Sequence, residues 1–384
     1  MQSPLDFPAP RVDRRRLLQG GFAALLTAGL SPLRAFGWTT GEFENAPTTH
    51  EQIRQDATDA PLAIRFDGST AREFADWRRR FSTKLRELLG PHDPPAQWET
   101  IVEERVELDG HTRERIVLAA DGHPRLPMYR LLPRPLGDQP RPGVLAIHGH
   151  SGFHPVAGRD DLPGVAKQIE AVRYDYGRRM ALRGYIVAVP CLTPFEPRED
   201  RASYGNQDPC AVAFVRMQLL GKLLMAENLR DCLWCIELLA RDERVDAERL
   251  GCLGLSYGGR MTMLTAALEP RIKVAAVSGA LNMMQERIGL KYSCGAQVIP
   301  GLLKYGDVPE IGSLIAPRSC VWEVGARDGL IKPDWAKKAE ASIRRAYAAA
   351  GAGERVRFDH FEGGHRWNGD VAEPLFDELL RPGA

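Results

Sequence analysis

The 384-residue sequence predicts an α/β fold: a mostly parallel sheet covered by helices on both faces. Two observations carry this. Continuous apolar runs with the character of strands buried on both sides recur along the chain, and helical patterns lie between them. Midway, the segment Arg249-Leu-Gly-Cys-Leu-Gly-Leu-Ser-Tyr-Gly-Gly-Arg260 reads as a buried strand that enters a sharp turn and opens a helix. Ser256 sits at that turn between Gly254 and Gly258, in G-x-S-x-G spacing. Such a turn holds a serine in a strained conformation with its hydroxyl beyond the strand end, and small flanking residues let strand and helix cross closely.

The elements follow in order. Arg72 to Leu89 places Phe74, Trp77, Phe81, Leu85, Leu88 and Leu89 at amphipathic-helix spacing, and Gly90-Pro91 stops it. This helix belongs to an N-terminal extension over residues 38–96, ahead of a main domain over 97–384. From Trp98 the period changes to two. Ile101–Leu108 and Arg115–Leu118 read as a hairpin across Asp109-Gly110, with Met128–Leu132 a third short strand and all three an antiparallel edge. Buried strands are expected at Gly143–Ile147, Tyr185–Val189, Arg249–Leu253, Val274–Val277, Cys320–Val324 and Val356–Phe361. Helices are expected at Ala211–Leu239, Gly258–Ala267, Trp335–Ala350 and Val371–Leu380. Residues 192–229 form a long insertion whose Phe195, Pro197, Tyr204, Asn206 and Phe214 suit a cap over a cleft, or surface packing for the following helix.

Composition narrows the partners. Formal net charge is +1, and the first 35 residues hold five arginines against two aspartates, so the remainder carries −2. Nothing there seeks a nucleic-acid backbone or an anionic membrane. Asp13-Arg-Arg-Arg-Leu-Leu-Gln19 resembles the twin-arginine export consensus, and the uncharged Leu17–Leu33 that follows is too broken by Gly and Pro for a stable membrane span. A signal peptide over residues 1–37 competes with an uncleaved anchor and a basic tail. The signal reading implies the twin-arginine machinery as partner and a periplasmic or secreted protein. Seven cysteines leave at least one unpaired. Cys252 and Cys320 read as core residues, and Cys232-x-x-Cys235 as helix packing without the second pair a zinc site needs.

The serine needs a base and an acid. His365, in the glycine-flanked loop after the last strand, is the base expected in preference to His360, which lies within that strand. Asp328 follows the Cys320 strand directly. An aspartate before Gly329 is by itself ordinary turn chemistry, but Ser256, Asp328, His365 is the chain order a G-x-S-x-G turn requires. Glu323 and Asp334 are the alternates. An oxyanion hole needs two backbone N–H groups. Tyr257 supplies one. The loop His148-Gly-His-Ser-Gly152 supplies the other, from His150 in preference to Ser151. His148, Arg260, Phe195 and Tyr204 are the candidate substrate contacts, with a salt bridge the plainer role for Arg260. His148, His150 and His154 could also be read as metal ligands, but they lack an accompanying carboxylate cluster, so no metal and no cofactor is expected.

Over roughly residues 98–384 these motifs resemble the α/β-hydrolase superfamily. Within it, the His148-Gly149 loop, the Gly254–Arg260 turn and Leu314-Ile-Ala-Pro-Arg318 most resemble bacterial dienelactone-hydrolase-like and acetyl-xylan-esterase-like serine esterases. Dienelactone hydrolases use a cysteine where Ser256 stands. Glucuronoyl esterases carry arginine after the serine, where this chain has Tyr257, and prolyl-oligopeptidase-type peptidases add a propeller for which there is no room. The resemblance implies a carboxylic-ester hydrolase acting through an acyl-enzyme, on carbohydrate or short-chain esters. Glucuronoyl ester or peptide hydrolysis, and a non-catalytic binding role, remain the alternatives.

Overall fold

The computed structural model describes residues 46–290 and 293–381. The segment with the twin-arginine pattern lies outside them. One nine-stranded sheet organises the chain: β1 (Glu99–Leu108), β2 (His111–Ala119), β3 (Leu126–Pro133), β4 (Arg141–Ile147), β5 (Ile186–Pro190), β6 (Val245–Leu255), β7 (Ile272–Ser278), β8 (Ser319–Gly325) and β9 (Val356–Phe361). Their spatial order is β1-β2-β3-β5-β4-β6-β7-β8-β9. The first four in that order pair antiparallel and the rest parallel. Every expected strand is present, with β2 and β6 starting four residues earlier than the apolar runs suggested. Their leading residues include His111, Thr112 and Asp246, which pair in the ladders without being apolar.

The period-two alternation divides the core. Along β4, Val144 and Ala146 face one apolar cluster, whereas Leu145 and Ile147 face the other. Such two-sided burial is why these strands are uninterrupted apolar runs. β1 is the exception. It is an edge strand, largely exposed, and its register shifts between Val102 and Glu104, a bulge of the kind that blunts edge-to-edge association.

The N-terminal helix forms over Ala71–Leu89, with Thr70 and Glu73 making a reciprocal capping box and Gly90 (φ 73°) ending it. Phe74, Trp77, Phe81, Leu85 and Leu89 are buried in the larger cluster. Complete burial of Phe81 alone is worth about 1.5–3 kcal/mol. A second helix, Thr49–Thr58, precedes it, and the compact unit that includes both begins at Thr48.

One expectation needs correction. The helix read over Ala211–Leu239 is two helices, Pro209–Leu219 and Leu224–Arg241, bent by 101°. Gly221 lies at φ +65° in the break. Its left-handed backbone ends the first helix, and Leu223 and Leu224 turn into the core to start the second. No single described helix is long and apolar enough to cross a membrane.

Candidate active site

The sheet has a switch point. After β4 the chain leaves for β5 on one side, and after β6 it leaves for β7 on the other. The loops at the carboxyl ends of β4 and β6 therefore diverge and leave a crevice between them, the place where open α/β sheets bind ligands. Those loops carry His148–Gly152 and Ser256.

Ser256 occupies a left-handed conformation (φ 65°, ψ −121°) between the end of β6 and the helix Tyr257–Leu268. A side chain there is strained, so tertiary packing must hold the turn. Its N–H donates to Ser278 O at 2.9 Å. A Cβ on Gly254 would stand 2.6 Å from the Gly258 backbone and from Ile147 O, and one on Gly258 would collide with Ile147 O. Glycine at both positions lets the helix cross β4 and β6 at backbone contact. The β4 loop packs on the same turn, since a Cβ on Gly149 would lie 3.1 Å from Ser256 Cβ.

The acid and base meet as the chain order requires. His365 Nδ1 donates to Asp328 Oδ2 at 2.7 Å. The Asp328 side chain is 1% exposed and the His365 side chain 27%. Asp328 Oδ1 accepts the Leu330 N–H, which fixes the carboxylate plane. With Nδ1 as donor, His365 Nε2 is the lone-pair nitrogen. It is buried and has no hydrogen-bond partner among the described residues. Gly325 and Gly364 bring the two loops together, and Gly279 admits the imidazole, because a Cβ there would lie 2.8 Å from His365 Cε1.

The other acids and His360 are engaged elsewhere. His360 pairs with Glu340 at 2.8 Å on the surface, and Asp334 is exposed at a helix start. Glu323 is fully buried and accepts the N–H groups of Asn368 and Gly369. Burial pushes its carboxyl up to about 7.

Two of the expected substrate contacts, His148 and Arg260, are corrected. His148 is fully buried with both nitrogens committed: Nδ1 donates to Gly149 O at 2.7 Å and Nε2 accepts from Leu192 N–H at 2.9 Å. Burial pushes its pKa down to about 3. It is a neutral strut joining the β4 and β5 loops. Arg260 is 1% exposed, too deep to meet a ligand in an open cleft, and its Nη2 donates to Asn282. Burial pushes it down to about 10, and it forms no salt bridge among the described residues, so the plainer expectation fails too. Tyr204 turns to the Arg216 guanidinium, 5.6 Å from its ring, and to Glu199. Phe195 does reach the crevice, with its ring 5.7 Å from His150 and 6.2 Å from Tyr257. It lines a cavity of 360 Å³ with His150, His154, Glu199, Asp208 and Cys210, between the β4 loop and the cap insertion.

Other residues at the site were not legible from sequence. Tyr174 OH accepts the Gly149 N–H at 2.7 Å and so shapes the loop before His150. Asn228, fully buried, donates to Tyr257 OH and Thr193 O and accepts from Thr193 N–H. The three histidines of the β4 loop do not converge. His154 Nδ1 pairs with Tyr129 OH at 2.9 Å, whereas His150 Nε2 lies 3.1 Å from Cys294 Sγ.

The sheet order, the strained serine turn and the switch-point crevice are those of the α/β-hydrolase fold. Residues 219–287, which span this turn, match the prolyl oligopeptidase family. The chain is 29% identical over 295 residues to YtaP of Bacillus subtilis (strain 168), provisionally named a hydrolase, across 73% of this chain and 92% of that protein. A Bacteroides fragilis NCTC 9343 structure provisionally called an acetyl xylan esterase superposes with TM-score 0.69 at 17% identity, covering 87% of this chain and 89% of the other. A glucuronoyl esterase from Solibacter usitatus does so with TM-score 0.61 at 16% identity, covering 84% and 96%.

Proposed function

We propose that the protein is a serine esterase that hydrolyses carboxylic esters through Ser256, His365 and Asp328. The observation that carries this is the 2.7 Å His365–Asp328 bond, which leaves a lone pair on a buried Nε2 in a protein whose serine stands on a strained turn. His365 Nε2 removes the hydroxyl proton as Ser256 Oγ attacks the ester carbonyl, and Asp328 stabilises the imidazolium. The oxyanion forms against two backbone N–H groups. Tyr257 N–H lies in the first helical turn, where no intrahelical acceptor exists and the helix dipole is favourable. Gly149 N–H is already taken by Tyr174, which makes His150 N–H the next donor along the β4 loop. His365 then gives its proton to the leaving alcohol, and water releases the acyl group by the same route.

The relatives that favour this reading are named for acetylated xylan and for glucuronoyl esters, so an ester borne on a carbohydrate is the substrate class proposed. Tyr257 stands where the glucuronoyl-esterase motif has arginine, which favours acetyl esters. Ser256→Ala is expected to abolish p-nitrophenyl acetate hydrolysis with the fold intact, and wild-type turnover in that variant would refute the reading. Acetylated xylo-oligosaccharides should be cleaved faster than methyl glucuronate esters or prolyl peptides. Export is part of the same proposal. Replacing Arg15 and Arg16 by lysine should hold the protein in the cytoplasm, and unchanged fractionation would count against it.

A further inference from the structure

His150, Cys210 and Cys294 come from three segments far apart in sequence: the β4 loop, the first turn of the cap helix Pro209–Leu219, and the residue before the short turn Gly295–Gln297. Their ligand atoms all lie within 4.8 Å of one another, and His150 Nε2 stands 3.1 Å from Cys294 Sγ. Both cysteines are buried, at 2% and 6% exposure, while His150 is solvent-accessible.

We propose that these three side chains bind one zinc ion, with water as the fourth ligand. Tetrahedral zinc with Zn–S near 2.3 Å and Zn–N near 2.05 Å places its ligand atoms about 3.5–3.8 Å apart. The group therefore needs only sub-ångström to ångström adjustment of side chains. Two thiolates and an imidazole select a soft or borderline ion over magnesium or calcium. His150 and Cys210 also line the 360 Å³ cavity, which gives room for the water. The frame is rigid where it needs to be. A Cβ on Gly295 would stand 2.5 Å from Phe214 Cβ, so the turn that carries Cys294 packs at backbone distance on the cap helix that carries Cys210. Gln297 Nε2 lies 3.7 Å from Cys294 Sγ, an outer-shell donor to the sulfur.

Binding replaces thiol protons by the metal. Two neutral thiols and neutral imidazole take up Zn²⁺ and release two protons, with no change of oxidation state.

The site shares His150 with the ester-hydrolase reading, which uses that residue's backbone N–H, but none of its side chains belongs to the triad. The test uses the full chain, purified under reductant and shown to hold seven free thiols. Zinc is titrated against it, and cobalt(II) serves as the spectroscopic probe. One equivalent of zinc is expected, with a near-ultraviolet thiolate-to-cobalt charge-transfer band. Cys210→Ser and Cys294→Ser should each remove that band and weaken zinc at least about 100-fold, no less than loss of an outer-shell partner can cost. Cys232→Ser and Ser256→Ala should keep both stoichiometry and band. No zinc uptake by the fully reduced protein would overturn the proposal. So would a band that survives both cysteine variants, or a Cys210–Cys294 disulfide that forms unhindered with zinc present.

Discussion

Asp328 decides which nitrogen of His365 is available, and it does so with one hydrogen bond. Asp328→Asn keeps the volume but can present an amide N–H to Nδ1. The imidazole then carries its proton on Nε2, where it cannot accept from Ser256. The expected result is a fall in kcat of about 10³–10⁴-fold with little change in KM. A kcat within tenfold of wild type would mean that the pair is structural. The pairing of His365 with Asp328 was readable because their order along the chain is itself a constraint. His148 and Arg260 were misread for a shared reason. A sequence shows which residues can contact a ligand but not which nitrogens are already occupied, and here Leu192 N–H and Asn282 occupy them. Cys210 and Cys294 were invisible as a pair because only the packing of the cap helix against the 295–297 turn brings them together.

At the level of elements, the serine turn is held by absent side chains. Gly258→Ala drives a methyl group into Ile147 O, which is backbone and cannot rotate away. Either the helix Tyr257–Leu268 lifts off β4 or the turn opens. The variant should lose at least about 3 kcal/mol of unfolding free energy, in the range of severe core overpacking, and lose activity with it. Equilibrium urea unfolding measures the first. A variant as stable as wild type would mean that the crossing is looser than described. Asn228→Ala addresses the neighbouring element. It strands Tyr257 OH and the Thr193 peptide in the interior, at a cost of about 2–4 kcal/mol from several lost buried bonds. The strands were legible because two-sided burial makes them continuous apolar runs. The break at Gly221 was not, since Ala211–Leu239 remains apolar through it and only tertiary burial of Leu223 and Leu224 decides the bend.

At the scale of the whole molecule, the fold carries buried titratable groups whose cost depends on pH. Glu323 is the clearest. Burial raises its folded carboxyl to about 7 from an ordinary value of 4.5. Between those values the native state holds a proton that the unfolded chain has lost, so this group makes stability fall as pH rises. The slope is at most about 1.4 kcal/mol per pH unit. His148, pushed down to about 3, acts with opposite sign over the interval from there to 6.5. Glu323→Gln keeps an acceptor for the 368–369 backbone and removes the titration. Its stability should therefore rise with pH between 4.5 and 7 relative to wild type, read from urea midpoints at pH 5 and pH 6.5. Parallel pH dependence in the two proteins would refute the assignment. The largest claim, that this fold acts through a nucleophilic Ser256, is tested most directly by covalent trapping. A fluorophosphonate should react once per chain, with the adduct mapped by mass spectrometry to the peptide containing Ser256, and both adduct and ester hydrolysis should be absent from Ser256→Ala. An inert Ser256 in folded protein, or an adduct on another residue with hydrolysis intact in the alanine variant, would contradict it.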